Sequence, residues 1–464
     1  MGSSLFGILN VGRNGMHAHQ YATQVASHNA SNVGTEGYTR RMVEINPVTH
    51  TQPGNGSRAE GARRIMDTFV QRRMLGSHGY QGEGDMRSQA LSPLDDLFSV
   101  DGLNLNDALD EFHESLSQVT THPSDHATRT VFLSRAQGLT RAFNQASSTL
   151  EEARADTNDR IESEVNILNR KLQQIAELSQ EIGKTEVGGV EAGDLRDERD
   201  QLIQQVAEVV PVSVQDMGRG QIRMLLGSSK TLVSADGKAH PLQANIDPVT
   251  GDMTVIRPSA GILEDVSGLI TTGRIRGLMD ARDGGIADAK VALDNLAFDI
   301  TNAFNATHSA GFGLDGATGR NLFDPLAAAA DAAKFMNLDA AVIGNPEAIA
   351  ASSSAATLPG DNVNALAMLD LQDSNIALGG TATSIEALSQ LMGNAASEVG
   401  RARATASQAE AINEQVVALH KSVSGVSVDE EMVALMQYQR GYQASLKVIS
   451  TADQLLQELI NLKR

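Results

Sequence analysis

The chain has 464 residues, a net charge of −20 and an apolar fraction of 41%, which suits several domains with real cores. Acidic side chains number 57 against 37 basic ones, so a nucleic-acid backbone or an anionic membrane is not expected as partner. The absence of cysteine excludes disulfides, thiolate metal sites and cysteine nucleophiles, and 3% aromatics without tryptophan predict cores of Leu, Ile, Val, Met and Ala, as in long helical bundles.

At the N-terminus, Leu5-Phe6-Gly7-Ile8-Leu9 has no basic residue before it and no small-residue cleavage site after it, so no cleaved signal peptide is expected. Residues 4–33 read as a helix. Leu5, Ile8, Gly12, Gly15, His19, Ala22, Ala26, Asn29 and Val33 follow a 3-4 spacing, and Leu9, Met16 and Val25 widen the stripe. Gly7, Gly12 and Gly15 each weaken the helix by roughly 0.5–1 kcal/mol relative to Ala. It therefore needs a partner, which its glycines would let come close. Gly34 is expected to end it in a left-handed conformation.

Residues 41–62 read as a strand and an extended hook broken by Pro47, Pro53, Gly54 and Gly56, followed by a short helix over 65–75. A helix over 107–120 ends near Pro123. The longest element runs from Thr128 to about Ile182, which at 1.5 Å per residue would span about 80 Å. A charged helix over 195–206 leads to strands at 212–214, 221–226, 231–233 and 253–256. Helices resume over 278–307 and 384–423, with uncertain helical content between them. The stretch 326–344, the most apolar in the chain, is interrupted by Asp331, Lys334 and Asp339, so no membrane span is expected.

Residues 427–462 give the clearest pattern. Val428, Met432, Leu435, Gln439, Tyr442, Leu446, Ile449, Asp453, Leu456 and Ile460 are spaced 4-3 throughout, a heptad seam with two polar entries that fix register. Its apolar members would each contribute about 2 kcal/mol if a facing surface existed. Both terminal helices thus look unpartnered within one chain, and ordering on association is expected.

Between the first helix and the hook stands SHNASNVGTEGYTRR, residues 27–41, which resembles no catalytic motif. Asn29 and Asn32 can hydrogen-bond a fraying helix end, Gly34 and Gly37 can make a turn, and Tyr38 can anchor it. The spacing N-x-x-N-x-x-T-x-G-Y-x-R, carried by Asn29, Asn32, Thr35, Gly37, Tyr38 and Arg40, resembles the signature of the axial proteins of the bacterial flagellum: rod, hook and hook-associated proteins. The C-terminal SVDEEMVALMQYQRGYQASLKVISTADQLLQELI resembles their closing helix. HPSDHATRTVFLSRAQGL (122–139), DLRDERDQL (194–202), GRIRGLMDARD (273–283) and ALDNLAFDITNAFNATHSAGFGLDG (292–316) look like the hook-associated junction members of that family, and the likeness runs nearly end to end. His28 and Ser31 depart from the residues more usual in the box. The chain is shorter than some members, which implies that an outermost domain is missing.

The resemblance implies a structural subunit that joins hook to filament, assembles as an eleven-membered ring and leaves the cell unfolded by the flagellar type III route. The implied partners are copies of itself, the hook protein, a second hook-associated junction protein and an export chaperone on the C-terminal helix. The location implied is extracellular, on the flagellum. Assembly residues would be Leu5, Ile8, Leu9, Asn29, Asn32, Thr35, Gly37, Tyr38 and Arg40, together with the ten seam positions above. The alternatives are a hook or distal-rod protein, or a secreted acidic hydrolase or adhesin on a helical scaffold.

Catalytic and ligand patterns fail on inspection, and neither enzyme activity nor a cofactor is expected. His113-Glu114 begins like a zinc-protease motif, but Ser117 replaces the second histidine. His122 and His126 are separated by Pro123. Gly311, Gly313 and Gly316 match a dinucleotide fingerprint without the strand and apolar helix it requires. Asp194, Asp197, Glu198 and Asp200 alternate with Arg196 and Arg199, which reads as a solvated, ion-paired helix. The expected fold is mainly α with an inserted small β-rich domain, an elongated helical bundle with coiled-coil-forming terminal helices. The expected domains are 1–60 with 425–464 for assembly, 61–194 with 277–424 for the long-helix bundle, and 195–276 for the β-rich part.

Overall fold

The computed structural model describes residues 2–48, 56–98, 105–259 and 261–462. In chain order, helix α1 (Gly2–Ser31) leads to a hairpin of β1 (Arg41–Pro47) and β2 (Ser57–Arg64). Then come α2 (Thr68–Ala90), α3 (Ser92–Phe98), α4 (Leu105–Thr121), the 60-residue α5 (His126–Thr185) and α6 (Gly193–Ala207). Two antiparallel three-stranded sheets follow. The first comprises β3 (Val212–Gly218), β4 (Gln221–Leu226) and β5 (Lys230–Val233), and the second β6 (Gln243–Ile246), β7 (Met253–Ser259) and β8 (Ile262–Asp265). Helix α7 (Arg274–Asp280) passes through a π-helical turn, Ala281–Ile286, into α8 (Ala287–Ala310). The chain closes with the short α9 (Ala332–Phe335) and α10 (Val363–Leu369) and the long α11 (Ser384–Ser424) and α12 (Val428–Leu462). The architecture is mainly helical with an inserted β-rich region, as the sequence predicts.

Several elements differ from the periodicity reading. The extended hook is a hairpin, whose second strand, SRAEGARR, lacks the β-branched residues that mark strands. Pro53 and Gly54, expected to break it, lie outside the described residues. The short helix expected at 65–75 runs on to Ala90 despite four glycines. Strands β6 and β8 carry too few apolar residues to be seen as alternation.

The chain divides into two compact units. The first comprises Met1–Glu83, Ser163–Ile275 and Gln408–Arg464. Here α1 and α12 pack along each other, the β1–β2 hairpin lies on α1, and both three-stranded sheets belong to the same unit. The carboxamide of Asn169 on α5 donates to Leu242 O at 2.7 Å and accepts from Leu242 N at 2.9 Å. Gln180 Nε2 donates to Gly237 O at 2.7 Å, so α5 holds the turns of the β-rich region by their backbone.

The second unit comprises Gly84–Glu162 and Arg276–Ser407. Its core is not the purely aliphatic one that the composition predicts. The scarce phenylalanines are concentrated: Phe112 lies 5.4 Å from Phe132, 5.0 Å from Phe304 and 6.2 Å from Phe323, all of them buried. His113, the abortive zinc motif, sits edge-on to Phe304 in this cluster, and burial pulls its pKa down. Residues 311–362 have little regular structure and are held by side chains that bond backbone. Asn305 donates to Phe323 O at 2.9 Å and accepts from Leu322 N and Phe323 N. Buried Arg129 donates to Pro123 O, Pro346 O and Ile349 O. His308 Nε2 accepts from Ala350 N at 3.0 Å, which leaves Nδ1–H to donate to Arg320 O at 2.8 Å.

Candidate assembly interface

The two terminal helices are partners within one chain, contrary to the expectation that neither has one. They pair antiparallel: Gly12 meets Ile449, Gly15 meets Ser445, His19 meets Gly441 and Asn29 meets Glu431. The buried face of α1 is Gly12, Gly15, Ala22, Ala26 and Asn29, with His19 half-buried, as the predicted stripe has it, and Ala18 joins them. Near its N-terminus Ile8 is exposed and Leu9 half-buried, and Val33, in the turn past its C-terminus, is exposed; the Leu5 side chain lies outside the described residues. The glycines allow a close approach. A Cβ on Gly12 would fall 2.6 Å from Ile449 Cγ1.

On α12 the seam is displaced from the predicted one. Leu435, Tyr442, Ile449 and Leu456 are half-buried, but the alternate positions are filled by Glu431, Tyr438, Ser445 and Ala452. Val428, Met432, Gln439, Leu446, Asp453 and Ile460 are exposed. The physical reason is the partner. Heptad counting favours the largest apolar stripe and takes no account of what the facing glycine–alanine surface and its polar corner present.

The Asn29–Arg41 stretch forms the corner at the end of this pair. Asn32 Nδ2 donates to His28 O and its Oδ1 accepts from Thr35 Oγ1 at 3.1 Å, which closes the end of α1. Gly37, with φ +75, takes the left-handed conformation that had been expected of Gly34. Tyr38 packs at a tilt against His28, with ring centroids 5.6 Å apart, and its hydroxyl donates to Asn29 Oδ1 at 2.8 Å. Burial pushes the Tyr38 phenol up to about 12, so the proton that it donates is firmly held. Arg40 Nε donates to Glu431 Oε1 at 2.7 Å and Arg40 Nη1 to Glu430 Oε2 at 2.6 Å. Asn29, Tyr38, Arg40 and the start of α12 are thereby brought into one node, while Thr35 and Gly37 remain exposed on the turn and Asn32 is half-buried there.

The acidic run on α6 is not the solvated helix expected. Asp197 is buried and accepts from Arg64 Nη1 at 2.8 Å and Arg41 Nη2 at 3.4 Å, and Asp200 accepts from Arg64 at 2.7 Å. The hairpin arginines, not the helix's own, neutralise it. Glu431 does not stand out in the sequence, where Asp429-Glu430-Glu431 reads as ordinary acidic dressing of a helix start. Nothing local distinguishes the buried carboxylate among those three.

Residues 91–323, half of the chain, match the family model described as the flagellar hook-associated protein FlgK helical domain. The chain belongs to the flagellar hook-associated FlgK family. It is a structural component of the flagellum. Residues 422–462, which contain α12, match the model for the C-terminal region of the flagellar basal body rod FlgEFG proteins. Flagellar hook-associated protein 1 of Salmonella typhimurium (strain LT2) is 25% identical, with 98% of this chain and 100% of that protein covered. Its alignment of 551 positions exceeds the 464 residues here. The corresponding protein of Bacillus subtilis (strain 168) is 26% identical over 99% of this chain and 98% of its own length. The fold is shared with the flagellar hook junction protein FlgK from Burkholderia pseudomallei, with a TM-score of 0.68 at 14% identity over 76% of this chain and 100% of that one.

Proposed function

We propose that this FlgK-family chain is the junction subunit that joins hook to filament, and that the α1–α12 pair carries the joint. The observation behind this reading is the second face of α12. With α1 already docked, Val428, Met432, Val433, Met436 and Leu446 remain exposed on the same helix, and Phe6 and Ile8 are exposed on α1. Such an apolar surface on a strongly acidic chain suits burial by neighbours. Those neighbours are other copies of the chain in a ring or helical turn, the hook protein on one side and a second hook-associated junction protein on the other. Heterologous contacts of one copy with the next build such a turn. In this reading the terminal segments form the assembly domain, and an export chaperone shields the C-terminal helix before the chain leaves the cell without a cleaved signal peptide.

Deletion of 428–464 is expected to abolish chaperone binding and filament attachment. Met432→Glu with Leu446→Glu, which alters exposed positions only, is expected to leave the folded chain intact and still prevent filament growth. Filaments growing on cells that make only either variant would refute the reading. Labelling at the hook–filament boundary in electron micrographs separates it from a hook or distal-rod role.

A further inference from the structure

The α12 sequence supports two overlapping seams. Both use Leu435, Tyr442, Ile449 and Leu456. One completes itself with Glu431, Tyr438, Ser445 and Ala452, the other with Met432, Gln439, Leu446 and Asp453. The second has the larger aliphatic side chains, yet α1 occupies the first. Something other than apolar area therefore chooses the register.

The corner at the end of α1 supplies a selector. Both sides of the Asn29 carboxamide are committed to the hairpin. Its Oδ1 accepts from Arg41 N at 3.1 Å and from the Tyr38 hydroxyl, and its Nδ2 donates to Arg41 O at 2.8 Å. These bonds fix the amide's orientation without reference to α12, and they leave one Nδ2 proton directed at the helix. Glu431 Oε2 takes it at 3.1 Å. The other carboxylate oxygen takes Arg40 Nε, and Arg40 is itself tethered because its backbone N donates to Ser424 O at 2.9 Å, just before α12 begins. Glu431 is 2% exposed, so its charge is tolerated only with these donors in place. In the alternative register Met432 would stand there. A thioether offers two buried donors almost nothing. Glu430 also binds Arg40, but no bond links it to Asn29, so it holds the arginine without reporting the register.

We propose that Glu431 is the positioning residue that sets the register of α1 on α12, read by Asn29 and Arg40 as a buried acceptor that only one seam can present. The inference concerns a single chain and stands independently of the junction role.

The lack of native cysteine makes a direct test possible in the full-length protein. A Cβ on Gly15 lies 3.7 Å from Ser445 Cβ, within the range of about 3.5–4.5 Å that disulfides require. The pair G15C/S445C reports the native seam and G15C/L446C reports the alternative. Their oxidised fractions in a glutathione buffer give two effective concentrations. With Glu431 present, the first is expected to exceed the second by at least about tenfold. Glu431→Met is expected to bring the ratio down by about that factor while the summed cross-linking persists, because the helices still pack. Glu431→Gln, which keeps an acceptor at the same place, is expected to retain most of the native ratio. An unchanged ratio in Glu431→Met would show that Glu431 does not choose the seam. Loss of both cross-links together would show that it holds the helices together without selecting between registers. Either result overturns the proposal.

Discussion

In the second unit, Phe112 is fully buried among Phe132, Phe304 and Phe323; along α1 the buried positions are Gly12, Gly15, Ala18, Ala22 and Ala26. The first contact fills volume with rings, and the second removes side chains so that two backbones approach. A ring cluster gains free energy from area and tolerates no truncation. A glycine–alanine seam buries little area per residue and depends on what stands at its ends, here the Asn29–Arg40–Glu431 node. Energy and specificity are thus carried by different parts of the molecule.

Truncating the ring cluster separates the two contacts most directly. Phe112→Ala is expected to cost about 3–5 kcal/mol in denaturant unfolding, while the G15C/S445C cross-link forms as before. Acid is the next largest test. Burial lowers the pKa of His308 from 6.5 to about 4, so the unfolded chain takes up a proton well before the folded one does. The stability this residue contributes is full above pH 6.5 and is lost as the pH falls toward 4, by about 3 kcal/mol. Denaturation at a series of pH values should show that slope, and His308→Gln should flatten it. Gly12→Ala loads the small-residue seam itself. The added methyl meets Ile449 Cγ1 at 2.6 Å and Ser445 O at 3.3 Å, and the crowding should outweigh the gain in helix propensity, a net loss of about 1–2 kcal/mol. Hydrogen exchange should quicken in α12 and stay constant in α4. The smallest effect is expected from Tyr38→Phe, which removes the hydroxyl that donates to Asn29 Oδ1, at about 1 kcal/mol in α1 protection.

Long helices were legible because periodicity and breakers agree over many residues. The ends of α4, α5, α11 and α12 lie within about three residues of the expected ones, well inside the uncertainty of such boundaries. The α1 stripe was legible for the same reason. The α12 register was not, because a heptad pattern ranks faces by their own apolarity and cannot know that the partner is made of glycine and alanine. The Asn29 box was visible as polar residues at a helix end, but the acceptor that completes it, Glu431, lies 402 residues away in the chain. Arg64 reaching Asp197, and Arg129 reaching Pro346 and Ile349, escape for the same reason: each is an ordinary charged residue until the fold closes. Composition misled only by averaging. A 3% aromatic content does not say that its members will meet in one place.

The irregular stretch from 311 to 362 is fastened to its surroundings by a few amide, imidazole and guanidinium groups: Asn305, His308, Arg129 and Asn364, whose Nδ2 donates to Ala350 O at 2.6 Å. A region pinned this way has a sparse sequence code. Its main chain is what the pins hold, and Leu322, Phe323, Met336, Leu338, Val342 and Ile349 are buried beneath them, so its exposed side chains are free to change while the pins and these residues are not. A substitution scan would give permissive runs at the exposed positions, punctuated by intolerance at the buried apolar residues and at pins that lie on the helices around the stretch, so part of its tolerance map would be written outside it.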